Sequence, residues 1–149
     1  MESKFLLKTN EGFSLIELLF TLLLISVFLL LPILYIQSQD KKIEQQTIEQ
    51  LKHDLLYAQH VAMTEGKVTS VQFEDNTLII YVEQQEKTRV QYPTSLEMEP
   101  VTLALQDVSF LANGHPRKSG SWDVRTHYHH VRFTIQIGKG HIVYRQQES

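Results

Sequence analysis

The stretch Gly12-Phe13-Ser14-Leu15-Ile16-Glu17-Leu18-Leu19 opens an apolar run that continues to Ile36, and Glu17 is the only charged side chain from Phe13 through Ile36. A carboxylate inside hydrocarbon costs at least ~2.5 kcal/mol on insertion scales, so an isolated one in such a run requires a partner. Upstream lies a short polar leader, Met1–Gly12. If the chain is cut after Gly12, the new amino group on Phe13 stands four residues before Glu17, at the i, i+4 spacing that places two groups on one helix face. As a helix the run Phe13–Ile36 rises about 36 Å at about 1.5 Å per residue, enough to cross a ~30 Å hydrocarbon layer. A secretory signal peptide does not fit: its apolar part is only ~7–15 residues long and ends at a small-residue cleavage site. Here the run leads into Tyr35-Ile36-Gln37-Ser38.

Past Ile36 the apolar density falls but a helical period persists. Ile48, Leu51, Leu55, Ala58 and Ala62 form a narrow stripe suited to packing on a sheet. The other face, with Glu44, Gln45, Glu49, Lys52, Gln59 and His60, is expected in water. Gly66 is placed to end the helix as a C-cap, so one continuous helix of roughly fifty residues is predicted from the period.

Strand signals follow. Val68–Phe73 alternates, Asp75-Asn76 marks a turn and Leu78–Val82 is densely apolar, which predicts a hairpin. Thr88–Tyr92 is a short candidate strand ended by Pro93, Leu96–Leu105 is interrupted by Pro100, and Val108–Leu111 leads to the Asn113-Gly114 turn. Val131, Phe133, Ile135 and Ile137 point one way and Arg132, Thr134 and Gln136 the other, a half-buried strand. Gly138-Lys139-Gly140 turns it back into Ile142–Arg145. The expected fold is α+β, a long N-terminal helix on a small antiparallel sheet.

Composition narrows the chemistry. With 149 residues the chain has room for one domain beyond the apolar run, from Gly66 onward. It has no cysteine, so disulfides and thiolate chemistry are excluded and the head must hold by packing alone. Phosphate-loop, nucleophile-elbow and metalloprotease signatures are absent, which leaves an enzymatic role nothing to stand on. His127, His129 and His130 resemble a ligand set, but on a strand at most two of them converge, and zinc needs three or four donors. No metal and no cofactor is expected. Residues 107–149 are basic, with 6 Lys/Arg against 3 Asp/Glu. Arg117, Lys118, Arg125, Arg132, Lys139 and Arg145, with Trp122 and Tyr128 among them, are candidates for contact with double-stranded DNA. A mixed solvated surface is the competing reading of the same residues.

The leader, the Gly12-Phe13 junction, Glu17 and the long apolar helix together resemble the class III signal segment of the type IV pilin family, over the N-terminal quarter of the chain. The resemblance implies that a membrane-embedded prepilin peptidase cuts after Gly12 on the cytoplasmic side. It further implies that Phe13 becomes the N-methylated mature N-terminus, and that Glu17 pairs with the terminal amine of a neighbouring subunit during assembly. The implied organisation is a leader at 1–12, a transmembrane and assembly helix at 13–36, an amphipathic continuation at 37–65 and a β-rich head at 66–149. The protein would then be a single-pass membrane protein with its C-terminal domain outside, at the cell surface once assembled. Lysines at each flank, Lys4 and Lys8 against Lys41 and Lys42, do not decide that orientation by themselves. Pro32 removes one helix hydrogen bond and is a candidate kink, although membrane helices also tolerate proline without a special role.

The segment Phe110–Gly114, then Ser119-Gly120-Ser121-Trp122, a strand, a glycine turn and a last strand, is similar to the C-terminal half of minor pseudopilins. Trp122 departs from that pattern, since relatives often carry a smaller residue there. The short head, the missing cysteines and the Gln/Lys/Glu-rich stalk look most like the competence minor pseudopilins of Firmicutes. Membership implies a subunit of a DNA-uptake pilus, with a major pseudopilin, other minor pseudopilins, an assembly ATPase, a membrane platform protein and membrane lipid as partners. Alternatives are a type II secretion pseudopilin, a minor pilin of an adhesion or motility pilus, or a bitopic membrane sensor. The last needs neither the junction nor Glu17.

Overall fold

The predicted helix is one element, Leu15–Glu65 (α1), in the computed structural model, which describes residues 14–136, 138 and 140–147, the side chains of 30–38 excepted. The chain divides into two units between Gln39 and Asp40, and α1 contributes to both.

In the first unit every described side chain from Ser14 to Leu29 is exposed. Leu15 (79%) and Ile16 (74%) are the extremes. The hydroxyls of Thr21 and Ser26 donate to the carbonyls of Leu18 and Leu23, at 2.9 and 2.7 Å. Each is thereby satisfied on its own helix. Among the described residues no helix is long and apolar enough to cross a membrane. The expected span extends through residues 30–36, including Pro32, whose side chains lie outside the described set.

In the second unit the apolar stripe does what its spacing predicts. Ile48, Leu51, Leu55, Ala58 and Ala62 are all at most 2% exposed, and each large one contributes about 1.5–3 kcal/mol by burial. The helix ends at Gly66, whose φ of +64° suits a residue without a Cβ. Lys67 N–H donates back to Ala62 O at 3.2 Å, closing the last turn.

Eight strands follow: β1 Thr69–Glu74, β2 Thr77–Val82, β3 Gln85–Gln91, β4 Glu97–Pro100, β5 Ser109–Phe110, β6 Gly120–Arg125, β7 His130–Ile135 and β8 Ile142–Gln146. They make two four-stranded antiparallel sheets, ordered β3-β2-β1-β5 and β4-β6-β7-β8, where a single small sheet was expected. The difference comes from β6. Its outward residues Ser121, Asp123 and Arg125 hide a strand whose inward residues Trp122 and Val124 are fully buried. Gly120 sits where a Cβ would lie 2.6 Å from Leu103 Cβ, so only glycine lets β6 pass that loop. Trp122, Phe133 and Tyr144 are cross-strand neighbours in one row. Their ring centroids stand 5.5 and 5.4 Å apart, and Lys52 of α1 reaches over Tyr144 at 5.8 Å. One core thus joins α1 to both sheets.

Candidate functional site

At the start of α1, Ser14 acts as the N-cap. Its Oγ accepts from Ile16 N–H at 3.2 Å, and its carbonyl accepts from Glu17 and Leu18 N–H at 3.0 and 3.1 Å. Ser14-x-x-Glu17 has the spacing of a capping box, and a carboxylate in the first turn complements the positive end of the helix dipole. Among the described residues, however, Glu17 takes part in no ion pair. It stands among exposed Leu15, Ile16, Leu18 and Phe20. Its expected counterparts, Gly12 and Phe13, lie outside the described residues.

Arg125, Arg132 and Arg145 share the outward face of the second sheet, with Asp123 and Glu99 interleaved, whereas Arg117 and Lys118 lie apart beside Ser70 and Ser109. Lys118 pairs with Asp107 at 3.1 Å, Arg125 with Glu99 at 2.8 Å, and Arg132 grips Asp123 at 2.7 and 2.9 Å. The Arg132 bonds hold the Asp123 carboxyl below its ordinary range. Arg117 lies beside Lys118 near Glu83 and Asp107, and Lys139 is outside the described residues. Arg145 is the cross-strand neighbour of Arg132, and the two line a polar groove of about 340 Å³ with Thr134, Gln136, Val143 and Gln147. Among the described residues the candidate DNA-contacting set is therefore split between two places, and Lys118, Arg125 and Arg132 are each matched by a carboxylate.

The histidines also separate. Only His130 belongs to a strand; His127 and His129 sit in the β6–β7 turn, not on a shared strand face. His127 is exposed, His129 buried and His130 half-buried, 3.3 Å from Asp123. Among the described residues no group of three His, Cys, Asp or Glu could hold a metal ion.

No protein-family model matches the chain. It is 30% identical to competence protein ComGD of Bacillus subtilis over 143 residues, covering 91% of this chain and 95% of that one. The chain belongs to the ComGD family. Its fold is similar to that of the minor pseudopilin EpsH from the type II secretion system of Vibrio cholerae, with a TM-score of 0.51 at 13% identity, covering 68% of this chain and 95% of EpsH. The α+β reading and the pseudopilin resemblance both hold.

Within this ComGD-family head, sequence reasoning missed the polar residues that fasten the helix to the sheets. Glu44, expected in water, is 5% exposed. Its Oε2 accepts from Thr126 Oγ1 at 2.5 Å and from Tyr128 N–H at 2.8 Å. Gln59, also expected in water, donates from Nε2 to the carbonyls of Gly114 and Gly140 at 2.8 and 3.1 Å. Asn76, read only as a turn residue, donates to Tyr92 O and Thr94 O and accepts from Leu96 N–H, tying the first hairpin to the next loop. Tyr92 donates to Asp54 on α1 at 2.8 Å. Burial raises both the Tyr92 hydroxyl and the Asp54 carboxyl above their ordinary values. The signal in each case is a polar residue beside the apolar stripe or at a turn, and its partner is tens of residues away.

Proposed function

We propose that this chain is a minor pseudopilin subunit of a competence pilus, made as a precursor, cut between Gly12 and Phe13 by a prepilin peptidase and then assembled with other pseudopilins. Residues 13–36 anchor it in the cell membrane with the head outside until assembly carries it to the cell surface. The mature Phe13 is N-methylated, and its ammonium meets Glu17 of a neighbouring subunit. The chain's role is mechanical and carries no catalysis of its own; the ATPase and platform protein that drive assembly act on it indirectly.

The carrying observation is the setting of Glu17, a carboxylate amid exposed apolar side chains with no ion-pair partner among the described residues. A cation from another subunit supplies what the described residues do not, and truncating one member of such a desolvated pair costs ~3–5 kcal/mol. Competence is favoured over secretion because the relative matched along 91% of the chain is a competence protein, whereas the likeness to EpsH is one of fold. The pairing of Lys118, Arg125 and Arg132 with carboxylates argues that DNA capture does not rest on this head alone.

The reading is tested on the native gene. Mass spectrometry of the chain recovered from sheared surface filaments is expected to give an N-terminus at methylated Phe13. Gly12→Trp is expected to leave the full-length precursor in the membrane and to abolish transformation. Filaments containing the chain with its leader intact would refute it.

A further inference from the structure

We propose that the β6–β7 turn, Thr126–His129, is a contact for an anionic phospholipid surface, engaged while the subunit is anchored before assembly; this rests on the membrane anchoring proposed above. The turn does not hang free. Thr126 Oγ1 and Tyr128 N–H both donate to Glu44, and His129 Nε2 donates to Lys41 O at 3.2 Å, so the turn is fastened to the helix at residues 41–44. Thr126 N–H bonds His129 O at 2.8 Å and closes the turn on itself.

That fastening fixes where along the chain the turn sits. Lys41 is five residues after Ile36, the last residue of the apolar run, and five residues reach at most ~18 Å. Connectivity therefore bounds how far Lys41, to which the turn is bonded, can stand from the end of the apolar run, and leaves the turn within reach of the headgroup layer.

The groups presented there suit a headgroup layer. Tyr128 is 40% exposed and Ile43 42% exposed. His127 is exposed and meets the Tyr128 ring edge-on, with centroids 4.5 Å apart. Tyrosine, with an apolar ring and a polar tip, is enriched at membrane interfaces. Lys41 and Lys42 are exposed and form no ion pair among the described residues. Of the acidic groups nearby, Glu44 is buried under the turn and Glu99 is paired with Arg125, which leaves exposed Asp40 and exposed Glu97, cross-strand from Arg125, alongside Lys41 and Lys42. An exposed aromatic beside unpaired lysines, tethered near the end of an apolar helix, matches the chemistry of an anionic lipid surface.

The test uses the full chain reconstituted in phosphatidylglycerol vesicles brominated, in parallel preparations, near the headgroup to read the turn and near the acyl-chain middle to read the apolar run. Wild-type chain supplies the baseline, because Trp122 is its single tryptophan and is fully buried. Tyr128→Trp adds an indole at the turn, and Leu24→Trp adds one in the apolar run as the anchoring reference. Quenching of both added indoles is expected, with the Tyr128→Trp signal weakened in phosphatidylcholine. Lys41→Gln with Lys42→Gln should weaken it further in phosphatidylglycerol, by about fivefold in lipid association per lysine. If Leu24→Trp is quenched and Tyr128→Trp is not, anchoring stands and the lipid contact is overturned. If neither is quenched, both fall. Shielding of Tyr128→Trp only when other pseudopilins are added would assign the turn to a subunit interface and equally overturn the proposal.

Discussion

Residues 15–29 and 48–62 belong to one helix and meet opposite surroundings. In the first stretch every side chain is exposed, Phe28 at 68% and Leu29 at 67%; in the second, Leu51, Leu55, Ala58 and Ala62 are at 0%. The first is apolar around its whole circumference, as suits a helix surrounded by apolar material on all sides, whereas the second is apolar on one stripe, as suits a helix on a sheet. The second stretch has its partner within the chain, while the first has none among the described residues and, on the function proposed, finds it in lipid and other helices. Glu17 marks the same division in polar terms: among the described residues it has no side-chain partner of the kind that Glu44 has.

The sharpest way to break this contrast is by truncating one leucine from each stretch. Leu55→Ala is expected to destabilise the head by ~2–5 kcal/mol through cavity formation, whereas Leu24→Ala should leave head unfolding unchanged. Denaturant titration in detergent, followed by Trp122 fluorescence, reads both. Equal effects would mean that the first stretch also packs on the head. Next in size is Glu44→Ala, which leaves Thr126 Oγ1 and Tyr128 N–H without their acceptor and should cost about 1–3 kcal/mol. Glu44→Gln, which keeps an acceptor, should cost less, and the ordering of the two variants distinguishes a lost hydrogen bond from a lost charge.

A smaller effect is expected at Asp123, where Arg132 remains accessible to water: Asp123→Asn should cost about 1–2 kcal/mol near neutral pH. Because Arg132 lowers this carboxyl in the folded state, its contribution is present above the unfolded value of about 3.9. It is lost as pH falls below that value and through the lowered folded value. Wild type and Asp123→Asn should therefore converge in acid, and a gap that widens there would contradict the assignment. The smallest effect belongs to Lys67–Glu83, an ion pair at 2.9 Å with both side chains about half exposed. Lys67→Ala should change stability by less than ~1 kcal/mol.

The contrast between the two helical stretches is legible in the sequence, because apolar periodicity reports local surroundings directly. So is the first hairpin: Asp75 and Asn76 take φ of 48° and 62°, the left-handed conformations their residue types tolerate. The second turn is not. Glu83 and Gln84 adopt φ of 48° and 70° without being glycine, asparagine or aspartate. The turn is braced instead by Glu83 to Lys67 and, across β3, by Lys87 to Glu65 at 3.0 Å. β6 escaped for a related reason: Asp123 and Arg125 look like surface loop until Arg132 and Glu99 arrive from other strands. The candidate site divides likewise. Glu17 announces itself by lacking local company, whereas Glu44 and Gln59 look solvated because their partners lie 82 and 55 residues away.

The central claim is that the first stretch of α1 finds its partner in another subunit, through Glu17. The most direct measurement is the ratio of Glu17→Ala chain in sheared filaments to that in the membrane, against wild type in the same strain. The account predicts a chain that is cut after Gly12 and held in the membrane but absent from filaments. Incorporation of Glu17→Ala at the wild-type ratio would contradict it.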